Sequence, residues 1–171
     1  VNEHDHVRGP ATALVTLLEY GDYECSYCGL AYPVVEQLRE WAGDKLRFVF
    51  RHFPLTQVHP FAEPAAETAE AAGARDKFWE MHDTLFTHQQ ALDSIHLVEY
   101  AARIGLDPAE ITQELLARQH RQRVHEDFLS GVRSGVNGTP TFFINGVRYD
   151  GPPDFDSMSA ALEQAAEAKL R

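Results

Sequence analysis

The chain has 171 residues, 44% of them hydrophobic and 24% charged, with a formal net charge of −11 at pH 7. That length fits one domain with enough interior to fold without disulfide or metal staples, and the composition excludes disordered, collagen-like and cysteine-rich scaffold classes. The acidic balance has the wrong sign for a phosphate backbone, so no nucleic-acid partner is expected, although Arg118, Arg121 and Arg123 lie close together.

The opening Val1–Arg8 is polar and lacks the apolar stretch of a signal peptide. The missing initiator Met leads us to expect residues ahead of Val1. The longest apolar run, residues 11–18, is far short of the roughly 20 residues of a membrane span, so no stable membrane insertion is expected. Residues 14–20 form a β-rich run that reads as a buried strand. After a Gly21-Asp22 turn, Tyr27, Ala31, Val34, Leu38 and Trp41 recur at steps of 4, 3, 4 and 3. This stripe predicts an amphipathic helix opening at the two cysteines and closing near Gly43, with Pro33 as a tolerated kink. Residues 46–53 read as a second strand, and strand–helix–strand spacing implies a parallel pair with a right-handed crossover.

From Pro60 to Ser134 the pattern is helical throughout. Asp76 precedes a stripe of Phe78, Met81, His82, Leu85 and Phe86, and Asp93 or Ser94 can cap a helix that Gly105 stops. Asp107-Pro108-Ala109-Glu110 places an acidic cap, then Pro at the first helical position and Glu at the third. A last helix is predicted from about Arg118 to Arg133. Strand signals resume at Thr141–Ile144, then Asn145-Gly146, then Val147–Tyr149, the pattern of a hairpin with a type I′ turn. Asp154 or Asp156 can cap a closing helix through about Lys169. The fold class is therefore α/β.

Cys25 and Cys28, the two cysteines of the chain, flank Ser26-Tyr27 at the start of the first predicted helix. Positions i and i+3 share a helix face about 5–6 Å apart, within reach of a disulfide. Unpaired amides and the helix dipole favour a thiolate on Cys25, below the free value of about 8.5. A thiol of low pKa is also a good leaving group. The pattern is built for thiol–disulfide exchange and calls for no metal or organic cofactor. A zinc site needs further ligands at suitable spacing; the chain has no second C-x-x-C and no H-E-x-x-H, and His120 and His125 are five apart. Asp22 and Glu24 would oppose the thiolate modestly and read as solvated turn residues.

Three separated motifs extend this reading: Glu19-Tyr20-Gly21-Asp22-Tyr23-Glu24-Cys25-Ser26-Tyr27-Cys28, Arg51-His52-Phe53-Pro54-Leu55, and Gly138-Thr139-Pro140-Thr141-Phe142-Phe143-Ile144-Asn145-Gly146. With them the chain resembles the DsbA-like branch of the thioredoxin superfamily from about Val7 to Lys169, and is particularly similar to versions that stand alone or are fused to bacterial sodium/proton antiporters. The resemblance implies a thioredoxin-like fold, residues 1–59 and 135–171, interrupted by an inserted helical domain, residues 60–134. It implies that Cys25 is the exposed attacking cysteine and Cys28 its buried partner. Thr139-Pro140 would lie opposite them, Pro140 in cis, with Thr139 offering backbone hydrogen bonds to a substrate strand. Glu19 would be a buried acid relaying a proton to Cys28; the alternative places it at the strand end, reaching solvent. His52 is either a functional part or an ordinary strand histidine. Two departures stand out. Ser26 replaces a frequent Pro, and Tyr27 replaces the His of strong oxidants, so the motif carries no imidazolium for Cys25.

The implied activity is disulfide exchange with protein substrates, reset by a redox partner that the sequence does not identify. A redox-responsive binding module that modulates a membrane transporter is the alternative. A glutathione-dependent transferase is disfavoured, since such enzymes usually lack the second cysteine. Disulfide donors work outside the cytosol, which favours a periplasmic or extracytoplasmic setting; DsbA-like proteins also occur in the cytoplasm.

Overall fold

The sheet consists of β1 (His6–Arg8), β2 (Val15–Gly21), β3 (Leu46–His52), β4 (Thr141–Ile144) and β5 (Val147–Tyr149), in the spatial order β1-β3-β2-β4-β5 of a computed structural model that describes residues 1–171. β2 and β3 run parallel, Val15 opposite Leu46 and Gly21 opposite His52. A parallel pair needs a long crossover, supplied by α1 (Ser26–Ala42), which continues unbroken through Pro33. β4 is antiparallel to both β2 and β5. Between those two strands Asn145 and Gly146 have φ of 48° and 83°, the positive pair that a type I′ turn demands. Asn145 also binds both backbone groups of Thr16, at 2.8 and 2.9 Å, which fixes the hairpin against β2.

Five helices separate β3 from β4: α2 (Ala62–Gly73), α3 (Phe78–Thr87), α4 (Ser94–Arg103), α5 (Pro108–Leu116) and α6 (Arg121–Arg133). α7 (Phe155–Leu170) closes the chain. Asp93, Asp107 and Asp154 cap α4, α5 and α7 by accepting from the amides of His96, Ala109 and Ser157, the use expected of acidic N-caps. α6 begins at Arg121 and not at Arg118, because Arg118 has φ 53° and His120 lies outside the helical region. The three clustered arginines face carboxylates: Arg118 with Glu63 and Glu67, Arg121 with Glu63, and Arg123 with Asp127.

Two sequence expectations are corrected. The buried face of α1 is Cys28, Ala31, Val35 and Leu38, not the Tyr27–Val34–Trp41 stripe. Tyr27 is 70% exposed and Trp41 46%. And the polar opening holds a strand, β1, paired antiparallel to β3 with His6 opposite Phe50. Side chains hold it there: Asp5 accepts from Arg51 at 2.7 and 2.9 Å, His6 bonds Glu70 at 2.8 Å, and Arg8 pairs with Glu36 and Asp83.

Strand alternation sorts β2 into two faces. Val15 and Leu17 join the main core, while Leu18 and Tyr20 look the other way, toward Phe53, Val136, Phe128 and Phe143. The main core is one cluster of 31 buried residues that runs from Leu17, Phe48 and Phe50 of the sheet through Met81, Leu85 and Phe86 of α3 to Leu97, Ile111 and Met158. The helices after β3 thus share the interior of the sheet. No helix is long and apolar enough to cross a membrane.

Candidate redox site

Where β2 ends, Asp22–Glu24 turn the chain into α1, and Cys25 is the residue that caps it, with an extended backbone (φ −69°, ψ 122°). Cys28 lies one turn on. Both thiols are free. Cys28 is fully buried, as expected, but Cys25 is also buried, at 4% exposure. The expected exposed cysteine is thus largely covered, because the Thr139 loop lies against it: Cys25 Sγ donates to the Thr139 carbonyl at 3.6 Å. The Thr139–Pro140 peptide is cis, both residues are half-buried, and the loop is braced by Thr141 Oγ1 donating to the Gly138 carbonyl at 2.7 Å. Thr139 Oγ1 is buried without a partner.

The two sulfurs have opposite electrostatics. A hydrogen bond from the Cys28 thiol pulls Cys25 down to about 5, against burial and with help from Thr139 and the amides of Cys28 and Tyr27. Burial first, then the neighbouring Cys25 and Glu19, push Cys28 well above its ordinary range. The two thiols therefore differ in acidity, Cys25 ionising far more readily than Cys28.

Glu19 shares the face of Leu17 and points into the core beneath the cysteines, with 2% exposure and its Oε1 unpartnered. Burial and then the charge of Cys25 raise it to about 8. It does not reach solvent at the strand end.

Asp22 is not the solvated turn residue the sequence suggests. Its side chain has no exposure. One oxygen accepts from the amides of Glu24 and Cys25 at 2.8 and 3.2 Å; the other accepts from the Leu55 amide at 2.9 Å and from His59 Nδ1 at 2.7 Å. Four donors make burial of a carboxylate affordable. Glu24 is half-buried and accepts from the Phe61 amide at 2.7 Å. Gln89, between α3 and α4, donates to the carbonyls of Tyr23 and Cys25 at 2.8 and 2.9 Å. A Cβ at Gly29 would stand 2.0 Å from the Gln89 amide oxygen, so glycine is what lets this amide approach α1. Sequence reasoning missed the parts played by His59 and Gln89. His59 precedes a Pro and lies four residues after the Arg51–Leu55 motif, but nothing local links it to Asp22, and Gln89 carries no signal.

His6 Nε2, His52 Nε2 and Glu70 Oε1 converge within 4.8 Å of one another, behind Tyr23, and could offer three metal donors. Both imidazoles instead spend Nε2 on the carboxylate at 2.8 Å. The other ring nitrogen of His52 is buried without a partner, whereas a metal-bound imidazole normally donates its second N–H to an acceptor. We read the trio as a clamp joining β1, β3 and α2. His52 is thus a buried strand histidine with a partner. His82, also buried, bonds the Tyr23 hydroxyl at 2.9 Å.

The family model described as Thioredoxin matches residues 1–164. Among curated relatives, a protein named Na(+)/H(+) antiporter NhaA 3 from Salinispora tropica is 47% identical over 170 residues, covering 99% of this chain and 26% of the relative. One named Na(+)/H(+) antiporter NhaA from Herminiimonas arsenicoxydans is 44% identical over 161 residues, 94% of this chain and 25% of the relative. The chain thus spans about a quarter of the length of these relatives. Among solved structures, oxidised BdbD from Bacillus subtilis superposes with a TM-score of 0.88 at 20% identity, covering 96% of this chain and 94% of that one. Wolbachia pipientis alpha-DsbA1 does so at 0.87 and 19%, covering 99% and 94%. At such identities the likeness establishes the fold, an α/β arrangement with helices set into a thioredoxin-like sheet.

Proposed function

The chain belongs to the thioredoxin family, and from that starting point we propose that it is a thiol–disulfide oxidoreductase in which Cys25 and Cys28 alternate between dithiol and disulfide. The observation that carries this reading is geometric: two free thiols one helical turn apart at the start of α1, with the cis Thr139–Pro140 peptide against Cys25, an arrangement that lowers Cys25 and raises Cys28.

In the oxidising direction a substrate thiolate attacks Cys25 Sγ of the disulfide form. The S–S bond breaks and its electron pair goes to the Cys28 sulfur, which takes up a proton. Glu19, neutral below about pH 8, is the nearby acid that supplies it. A second substrate thiolate attacks the substrate sulfur of the mixed disulfide and expels Cys25 as a thiolate. The substrate has lost two electrons, and the pair has gained them. Run backwards, the same steps reduce or isomerise. Thr139 and Pro140, lying against Cys25, present the edge at which a substrate strand would take main-chain hydrogen bonds.

Lowering Cys25 from an ordinary 9 to about 5 favours the dithiol roughly 100-fold at pH 7, about 60 mV toward oxidising power at ~30 mV per tenfold. The test is the reduction potential against glutathione, together with turnover on a reduced, unfolded protein. A value near about −120 mV marks an oxidant and one near about −270 mV a reductant. The antiporter names of the curated relatives favour a second reading, a redox-responsive module that modulates an attached transporter. A pure binding module would oxidise or reduce the test protein no faster than free dithiol reagents do.

A further inference from the structure

Residues 53–61 leave β3 and pass beside the redox turn before α2 begins. Asp22 is the hub of that contact. With one oxygen it holds the amide of Cys25, at 3.2 Å, and that of Glu24, at 2.8 Å; with the other it holds His59 Nδ1 at 2.7 Å and the Leu55 amide at 2.9 Å. Three of these four donors are neutral amides. His59 is the only one that can carry a charge.

A buried carboxylate bonded to the amide of a cysteine works against ionisation of that cysteine, because like charges disfavour each other where water is scarce. Tyr27 leaves the C-x-x-C without a cation of its own. The imidazole of His59, with its side chain 23% exposed, can exchange protons with solvent while gripping Asp22.

We propose that His59, as an imidazolium bound to Asp22, supplies the positive charge that lets Cys25 persist as a thiolate, so that it is a positioning residue setting the redox poise of the Cys25–Cys28 pair. This rests on the oxidoreductase reading above. The ionisable groups acting on His59 are Asp22, Cys25 and Glu24: burial pulls its pKa down, but the hydrogen bond and charge of Asp22, with Cys25 and Glu24 adding, raise it above the ordinary histidine value. These contacts favour the imidazolium form of His59.

Linkage makes this testable in the unmodified protein, because a charge that stabilises the thiolate must itself be stabilised by it to the same extent. Imidazole resonances of His59 followed by NMR should titrate about one pH unit higher in the dithiol form than in the disulfide form. Equal values in the two forms would overturn the proposal. A variant series gives the converse. His59→Gln should raise the pH at which Cys25 alkylates by about one unit and shift the glutathione equilibrium several-fold toward the disulfide. His59→Lys should restore both, and Asp22→Asn in the His59→Gln background should return them toward wild type. Unchanged acidity in His59→Gln, or no rescue by Lys, counts against the charge. A chain that fails to turn over substrate yet shows the linked titrations loses the enzyme assignment and keeps this one; turnover without the linkage does the reverse.

Discussion

Replacing Cys28 with Ala isolates what holds Cys25 anionic. The largest cause of the low Cys25 value, about 5, is the hydrogen bond from the Cys28 thiol. A hydrogen bond to a charged group contributes about 1.5–3 kcal/mol, and one pH unit corresponds to about 1.4 kcal/mol. Removing the donor should therefore raise Cys25 by about one to two units, to about 6–7. At pH 6 the thiolate fraction would fall from about nine-tenths to between about one-tenth and one-half. Cys28→Ser is the control, since a hydroxyl keeps a donor at nearly the same place. Each variant leaves Cys25 as the sole thiol, so the rate of iodoacetamide alkylation against pH reads that one group, with mass spectrometry confirming the site. Should the Ala variant still titrate near 5, or should Ala and Ser coincide, the anion is held by other groups, the amides of α1 or the His59 imidazolium, and the reasoning from the paired thiols is wrong.

Three further outcomes are expected. Glu19 binds its proton more tightly folded, at about 8, than unfolded, at 4.5, so stability should fall as pH rises across that window; Glu19→Gln should gain about 3 kcal/mol at pH 7 and flatten the slope in urea melts, whereas an unchanged slope would deny the burial cost. Burial alone would raise Glu70, but hydrogen bonds from His52 and His6 overcome it and hold the carboxyl low; stability from this clamp is fully present above about pH 4.5 and declines gradually as pH falls toward the depressed folded value, so Glu70→Gln should destabilise by about 3 kcal/mol at pH 6 and by less at pH 3, where more than half of the effect remains. Gln89→Ala removes two hydrogen bonds to the redox turn and should cost about 1–2 kcal/mol, with faster amide exchange around residues 23–29; unaltered exchange there would show that the bonds are idle.

Much of this architecture is written locally. The Asn145-Gly146 turn, the acidic caps at Asp93, Asp107 and Asp154, and the period-2 placement of Glu19 on the face of Leu17 each follow from chemistry within a few residues. The C-x-x-C at a helix start announces its own reactivity for the same reason. The phase of α1 was ambiguous because Val34 and Val35 are adjacent and either completes a stripe of 3- and 4-residue steps; packing, not periodicity, chose Val35. β1 was invisible because His6, Val7 and Arg8 have no apolar pattern, and the partners that hold them, Glu70 and Asp83 among them, are 64 and 75 residues away. The burial of Asp22 escaped notice likewise. Two of its donors, Leu55 and His59, are 33 and 37 residues distant, and a carboxylate beside a glycine looks like a turn until those donors arrive.

The bonds from Leu55, His59, Phe61 and Gln89 to the loop ahead of α1 set a limit on miniaturisation. A trimmed redox unit, made by splicing β3 directly to β4, would discard all four of these, and Thr139 and Pro140 with them. It would keep both sulfurs, yet the carbonyls of Tyr23 and Cys25 and one oxygen of Asp22 would be left looking for water. Whoever engineers a smaller version must transplant those donors along with the motif, or accept a cysteine whose chemistry reverts toward that of a loose peptide.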